Sequence, residues 1–288
     1  MFGFLNVDKP GGMTSRDVVN RVERLVRPAK CGHAGTLDPL ATGVLVVGVG
    51  QATRLMEHVH RLSKTYQGTF LLGRQSDTED IEGEVEELAL PPVPSNAALE
   101  AAAQRFVGTI QQRPPAYSAI KVEGKRAYKM ARRGESIELA ARPVEIYLLQ
   151  VVRYEYPELE LFVRCGSGTY VRSLGRDLAA SLGTAAVMSQ LRRLAIGPFR
   201  VEEAVEFDDL SREVIESRLL SPLMGLEGMP RVEVSEEEVR RLVNGQVLAN
   251  RWSIDAQEAA AMAGDGRLVA ILQPKNGGLA PVKCFMHG

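Results

Sequence analysis

The sequence predicts an α+β protein with a mixed, largely antiparallel sheet at its core and a small β-rich module at its C-terminal end. Three observations carry this. Strand-sized apolar runs and amphipathic helical stretches interleave without the regular alternation of a βαβ array. Residues 43–49, GVLVVGV, form a continuous Val-rich block of strand length, the pattern of a strand buried on both faces. Composition shifts at Gly228-Met229-Pro230, dividing the chain into units over 1–228 and 229–288. With 288 residues, 45% apolar and 25% charged, the chain is long enough for a large core and too apolar for disorder.

Residues 3–9 read as a strand ended by the turn Pro10-Gly11-Gly12. Thr14 or Ser15 caps the next helix, whose Val18, Val19, Val22, Leu25 and Val26 share a face. After the 43–49 strand comes a helix carrying Leu55, Met56, Val59 and Leu62, then a strand over Lys64–Leu72. Asp77–Glu87, acidic with Gly83 inside it, and the prolines of 91–94 read as a surface loop or an excursion from the sheet. Ser95 caps a helix running to about Phe106. Residues 117–122 read as strand and 125–133 as a basic helix, while strands over 144–154 and 159–165 flank the Tyr156-Pro157 turn. Val171, Leu174, Leu178 and Leu182 mark an amphipathic helix stopping at Gly183. In the C-terminal unit, Ser235 and Glu238 make a capping-box pattern before Val239, Leu242 and Val243, and apolar runs follow at 268–272 and 281–285.

The net charge is −1, which read alone argues against a nucleic-acid binder. The distribution says otherwise. Residues 1–76 hold ten basic and five acidic side chains (+5), 77–100 no basic and eight acidic (−8), 101–200 sixteen and eight (+8), and 201–288 nine and fifteen (−6). The basic segments favour an anionic ligand. The acidic run at 77–87 should then lie away from that ligand or face the protein's own basic groups.

Cys31, Cys165 and Cys284 are far apart and odd in number, so neither a disulfide framework nor a zinc site is expected. His58 and His60 sit two apart on a helix and point to different faces. No metal is expected. Without a basic leader or a membrane-length apolar run, a cytoplasmic protein is expected.

Residues 32–45, GHAGTLDPLATGVL, are the most informative segment. Asp38 precedes Pro39 where the backbone is stiff, at the mouth of a buried strand. A carboxylate there serves as nucleophile, base or ligand, or simply bonds its own turn; the residues alone leave both readings level. Gly48-x-Gly50 imitates half of a dinucleotide fingerprint, but Thr53 stands at the third glycine position. Lys64 and Tyr66 share a strand face by alternation. Gly166–Thr169 is a turn entering a helix start suited to an anion, with Arg172 and Arg176 one turn apart, or with both as solvated surface.

Several of these segments, in the same order, resemble the bacterial tRNA pseudouridine synthases of the TruB family. They are LNVDKPGGMTS (5–15), GHAGTLDPLATGVL (32–45), KTYQGTFLLG (64–73), SDTEDIEGEV (76–85), PPAYSAIKVEGKRAYKMARRG (114–134), GTYVRSLGRDL (168–178) and LRRLAIGPF (191–199). The C-terminal region resembles the RNA-binding PUA module. The resemblance implies a pseudouridine synthase fold, isomerisation of uridine 55 in the tRNA T loop by base flipping, no cofactor, and a monomer.

It makes Asp38 the nucleophile, acting at uracil C6 or at C1′, and Arg172 its ion-pair partner. Tyr66 stacks on the base and removes the C5 proton. Tyr170 and Leu191 wall the pocket, His33 fills the place of the flipped base, and Lys9 shapes the site floor. Lys64 joins the substrate-binding set, and Lys125, Arg126 and Lys129, with Lys121, Arg132 and Arg133, meet T-arm phosphates. The rivals are a non-catalytic RNA-binding or RNA-folding protein on the same scaffold, and a nucleotide-cofactor enzyme using Gly48 and Gly50.

Overall fold

The computed structural model describes residues 1–117, 121–122, 125–126, 130 and 139–285, with backbone alone at 121–122 and 125–126. Nineteen strands are assigned among them. Ten form one sheet: β1 (Gly3–Lys9), β2 (Cys31–Ala34), β3 (Thr42–Val49), β4 (Lys64–Leu72), β7 (Gly108–Gln112), β10 (Arg142–Glu155), β11 (Glu158–Cys165), β12 (Ala186–Ile196), β13 (Phe199–Arg200) and β14 (Val205–Glu206). Two short ribbons pair β5 (Arg74–Gln75) with β6 (Glu86–Glu87) and β8 (Lys121–Val122) with β9 (Lys125–Arg126). Lys125–Arg126 are thus strand where a helix over 125–133 was expected; Met130 is helical, and the rest of that span lies outside the described residues.

The sheet runs β14-β1-β3-β12-β4-β11-β10-β7, with β2 on β3 and β13 on β12. Only β1–β14 and β3–β12 are parallel. The sheet is therefore mixed and largely antiparallel. Its centre was not legible in the sequence: β12 carries Ser189-Gln190 and the adjacent Arg192-Arg193, which break both apolar continuity and alternation. It nevertheless pairs with β4 along most of its length and joins β3 at Arg192 and Arg193.

Helix α1 (Ser15–Leu25) starts at a complete capping box between Thr14 and Asp17 and buries Val18, Val19 and Val22 against β1 and β3. Helices α2 (Met56–Arg61) and α3 (Asn96–Arg105, capped by Ser95) follow. Helix α4 (Val171–Ala180) packs on β4 through a close approach: a Cβ at Gly175 would stand 2.0 Å from the ring of Phe70.

The C-terminal sheet orders β15 (Arg231–Val234), β17 (Ala259–Ala263), β18 (Leu268–Lys275), β19 (Gly278–Cys284) and β16 (Leu248–Ala249). It is docked, not tethered. Ala260, Leu268, Ile271 and Phe285 enter one apolar cluster with Phe4, Val44, Val46 and Leu55, and Phe285 stacks on Phe2 at 5.3 Å. No helix among the described residues is long and apolar enough to cross a membrane.

Gly175→Ala should force α4 off Phe70 and cost about 1–3 kcal/mol, the range of overpacking in a filled core. Urea unfolding measures this; an unchanged midpoint would mean that α4 does not rest on β4 this closely.

Candidate active site

Three segments meet where β3 begins. The 35–41 loop between β2 and β3 brings Asp38, helix α4 brings Arg172, and the acidic loop brings Asp80. The 35–41 loop is held from several sides. Ser15 Oγ accepts from Leu37 N (2.8 Å) and donates to Leu37 O (3.1 Å). Gly12 N donates to Pro39 O (2.8 Å). Lys9, fully buried, gives its ammonium to the carbonyls of Pro10, Met13 and Pro39. Burial pushes Lys9 down to about 8. Its place is therefore a brace between the β1 turn and the Asp38 loop.

Arg172 enters from α4, 5% exposed. Gln112 orients the start of that helix, accepting from Tyr170 N (2.8 Å) and donating to Tyr170 O (3.0 Å). The guanidinium fork then reaches two carboxylates: Nη2 lies 3.0 Å from Asp38 Oδ2, and Nη1 lies 3.1 Å from Asp80 Oδ2. The same nitrogens donate to Thr78 O (2.6 Å) and Tyr117 O (3.1 Å). Arg172 is a buried hub, not solvated surface.

Asp80 was missed in the sequence, where it counted only towards the charge of an acidic run. The run is largely exposed and forms its own short ribbon with β5, but it returns to the main sheet at one point. Residue 80 bridges Met188 of β12, with Ile81 N donating to Met188 O (3.1 Å) and Met188 N to Glu79 O (3.0 Å). Three of its seven acids pair with the protein's own cations: Asp80 with Arg172, Glu79 with Arg176, and Glu87 with Arg74. Arg176 Nη2 also donates to Arg113 O (3.0 Å). Two arginines one turn apart thus grip both the acidic loop and the 113–117 segment.

Burial pushes the Asp38 carboxyl above the usual carboxylate range, Arg172 opposes this, and Asp80 adds to it. The carboxyl nonetheless opens outward, with 38% of its side-chain surface exposed. Tyr66 lies on the buried face of β4 with Lys64, and Tyr66 and Leu191 are in one cluster with Leu37 and Ala41. Lys64 gives its ammonium to the carbonyls of His60 and Leu62, and burial pushes it to about 8. Half-buried Tyr170 carries the Arg142 guanidinium 5.3 Å from its ring centroid. His33 lies on β2, opposite Val47. Burial first, then Arg16 and Arg193, lower it to about 4, so it is neutral at pH 7. The side chains of Lys121, Lys125 and Arg126, and all of Lys129, Arg132 and Arg133, lie outside the described residues.

The dinucleotide reading fails on space. A Cβ at Gly48 would stand 2.7 Å from the Met56 side chain, and one at Gly50 would stand 2.4 Å from Met1 O. These glycines admit protein, not a pyrophosphate. Among the described residues no group of three His, Cys, Asp or Glu is placed to hold a metal ion.

Sequence comparison decides the family. The description "TruB family pseudouridylate synthase (N terminal domain)" matches residues 23–171, and "tRNA pseudouridylate synthase B C-terminal domain" matches 172–227. The chain belongs to the TruB family. A third match, "tRNA Pseudouridine synthase II, C terminal", covers 229–286. The tRNA pseudouridine synthase B of Thermobifida fusca (strain YX) is 40% identical over 98% of each chain. That of Arthrobacter sp. (strain FB24) is 42% identical over 98% of this chain and 96% of its own. A solved Cbf5-Nop10-Gar1 complex has a chain of the same fold, with a TM-score of 0.76 and 26% identity over 99% of this chain and 85% of that one. An H/ACA RNP bound to a substrate RNA containing 2′-deoxyuridine shares the fold at a TM-score of 0.75 and 24% identity, over 99% and 86%. Membership of the TruB family makes this protein a pseudouridine synthase, an isomerase.

A carboxyl that holds its proton more tightly in the fold than in the unfolded chain weakens the fold once pH rises above its ordinary titration. Asp38→Asn removes that cost. Its thermal midpoint at pH 7 should equal or exceed that of the parent protein, and the difference should narrow as pH falls through the carboxyl's titration. A clearly lower midpoint at pH 7 would show that the pair with Arg172 stabilises the fold on balance.

Proposed function

We propose that the protein isomerises uridine 55 in the T loop of tRNA to pseudouridine, with Asp38 as nucleophile. The observation that carries the reading is the Asp38–Arg172 pair at the mouth of β3, in a chain of this family. The reaction breaks the N1–C1′ bond, turns the uracil and rejoins it through C5. It has no redox change and no net hydrolysis, so amino-acid side chains suffice.

The nucleophile must be ionised. Burial and Asp80 oppose ionisation, and Arg172 favours it. Arg172 is itself held by two carbonyls and Asp80, so it meets Asp38 in a set geometry. Positioning of this kind brings the reacting atoms into line before the barrier is climbed. The open side of Asp38 faces the space that the base enters.

Flipping a nucleotide from its stack costs a few kcal/mol, and base–aromatic stacking returns about 1–3 kcal/mol for each base. Tyr66 supplies that stack and takes the C5 proton, while Tyr170 and Leu191 close the pocket. His33, neutral at working pH, occupies the place the base leaves. Lys9 and Lys64 act on backbone carbonyls beneath the site and contribute shape. The basic segment 121–133 meets T-arm phosphates, and residues 229–288 form a PUA-like unit that adds RNA contact. The enzyme works as a monomer in the cytoplasm.

Asp38→Asn should abolish pseudouridine formation in a tRNA transcript while binding persists; retained turnover would overturn the nucleophile. Changing Lys125, Arg126 and Lys129 together to Ala should weaken tRNA binding and lower the slope of log K against log salt by about 2–3, near one unit for each phosphate no longer neutralised. An unchanged slope removes these residues from the interface.

A further inference from the structure

Three buried cations near the site, Lys9, Lys64 and Arg193, have no carboxylate paired with them among the described residues, and one of them faces Tyr66. Arg193, on β12, is 1% exposed and leads the fully buried side chains in size. Among the described residues no carboxylate pairs with it. Its Nε donates to Val44 O (2.7 Å) and its Nη2 to Gly35 O (3.0 Å), the latter three residues before Asp38. Gly43 keeps the strands tight here, since a Cβ would stand 2.2 Å from Arg193 O. Burying an unpaired cation is costly. Two carbonyls accept two of its five N–H groups and leave its charge unmatched.

The register shows where that charge is felt. Arg193 stands directly opposite Tyr66 across the β4–β12 pair, as Leu191 stands opposite Gly68. Residues paired in this way hold their Cβ atoms about 4.5–5.5 Å apart on one face. The groups acting on the phenol are Arg193 from β12, Cys165 from β11 and Asp38 from the 35–41 loop; Arg193 is the cation of that set. Burial pushes the phenol above its ordinary range and Arg193 opposes it.

We infer that Arg193 is the positioning residue for Tyr66, orienting its phenol and stabilising the phenolate that takes the C5 proton in the closing step. The inference rests on the role proposed above for Tyr66. In that step the C5–H bond breaks and its electron pair forms the C5=C6 double bond. The displaced pair leaves on N1, which takes a proton from water, or on the Asp38 carboxylate where that group is bonded to C6. The phenol then returns its proton to solvent. The unmatched cation thus acquires its counter-charge only while Tyr66 is ionised.

The test uses tRNA transcript carrying 5-deuterated uridine, single-turnover rates between about pH 6 and 9.5, and tRNA affinity measured in parallel. Arg193→Gln should lower the rate about 100-fold or more, the scale for losing one preorganised electrostatic donor. Affinity should hold within about threefold, so that the loss falls on the chemical step. The C5 isotope effect should grow, and the rise of rate with pH should move to higher pH. Arg193→Lys keeps the charge and should recover at least about tenfold of the loss. A slower Gln variant with unchanged isotope effect and pH profile overturns the inference, as does an unimpaired one. Should the Gln variant not fold, the Lys variant decides by the same two readouts. A parent protein that forms no pseudouridine defeats the proposed function itself, and an unimpaired Tyr66→Phe defeats the role of Tyr66; both results are separate from the Arg193 outcome.

Discussion

One guanidinium holds the site together. Arg172 is buried, and its fork spans Asp38 on the 35–41 loop and Asp80 on the acidic loop, with carbonyls of Thr78 and Tyr117 filling further donor positions. A planar cation with five donors meets such a set, which the point charge of a lysine cannot reproduce. Loss of Arg172 would leave the buried Asp80 uncompensated, which costs about 3–5 kcal/mol. Two carboxylates share this one cation: Arg172 favours the ionised form of Asp38 while burial and Asp80 oppose it, so the ionised group is held at some cost to the fold.

The rest of the catalytic unit follows from placing that side chain. Helix α4 reaches β4 only because Gly175 leaves room for Phe70, and its first turn is oriented by Gln112 on the edge strand β7. The acidic loop returns to β12 through the residue-80 bridge, and Arg176 repeats one turn later what Arg172 does, tying Glu79 and Arg113 to the same helix. Lys9 and Ser15 hold the Asp38 loop from below. The segment that leads into the basic insertion is thereby joined to the residue that pairs with Asp38.

Much of this was legible in the sequence where local chemistry and tertiary role agree. The Thr14 cap, the Val-rich β3, the alternating β4 and the apolar stripe of α4 have one consistent pattern each, and the structure follows it. The Asp38–Arg172 pairing came from ordered motifs, since nothing in spacing alone joins residues so far apart. What stayed hidden was polar and central. β12 carries two arginines in its middle, one exposed and one buried, so no period marks it as the strand that joins the two halves of the sheet. Asp80 looked like one acid among many because burial, not composition, separates it from its neighbours. The net charge of −1 misled for the same reason: several of the acids that offset the basic segments are spent on the protein's own arginines.

In the proposed function this framework presents one carboxylate to one uridine of tRNA. Incubating the protein with an unmodified tRNA transcript and mapping pseudouridine nucleotide by nucleotide tests it most directly. A single new pseudouridine, at position 55 of the T loop, is expected; no pseudouridine, or pseudouridine only elsewhere in the molecule, would contradict the proposed function.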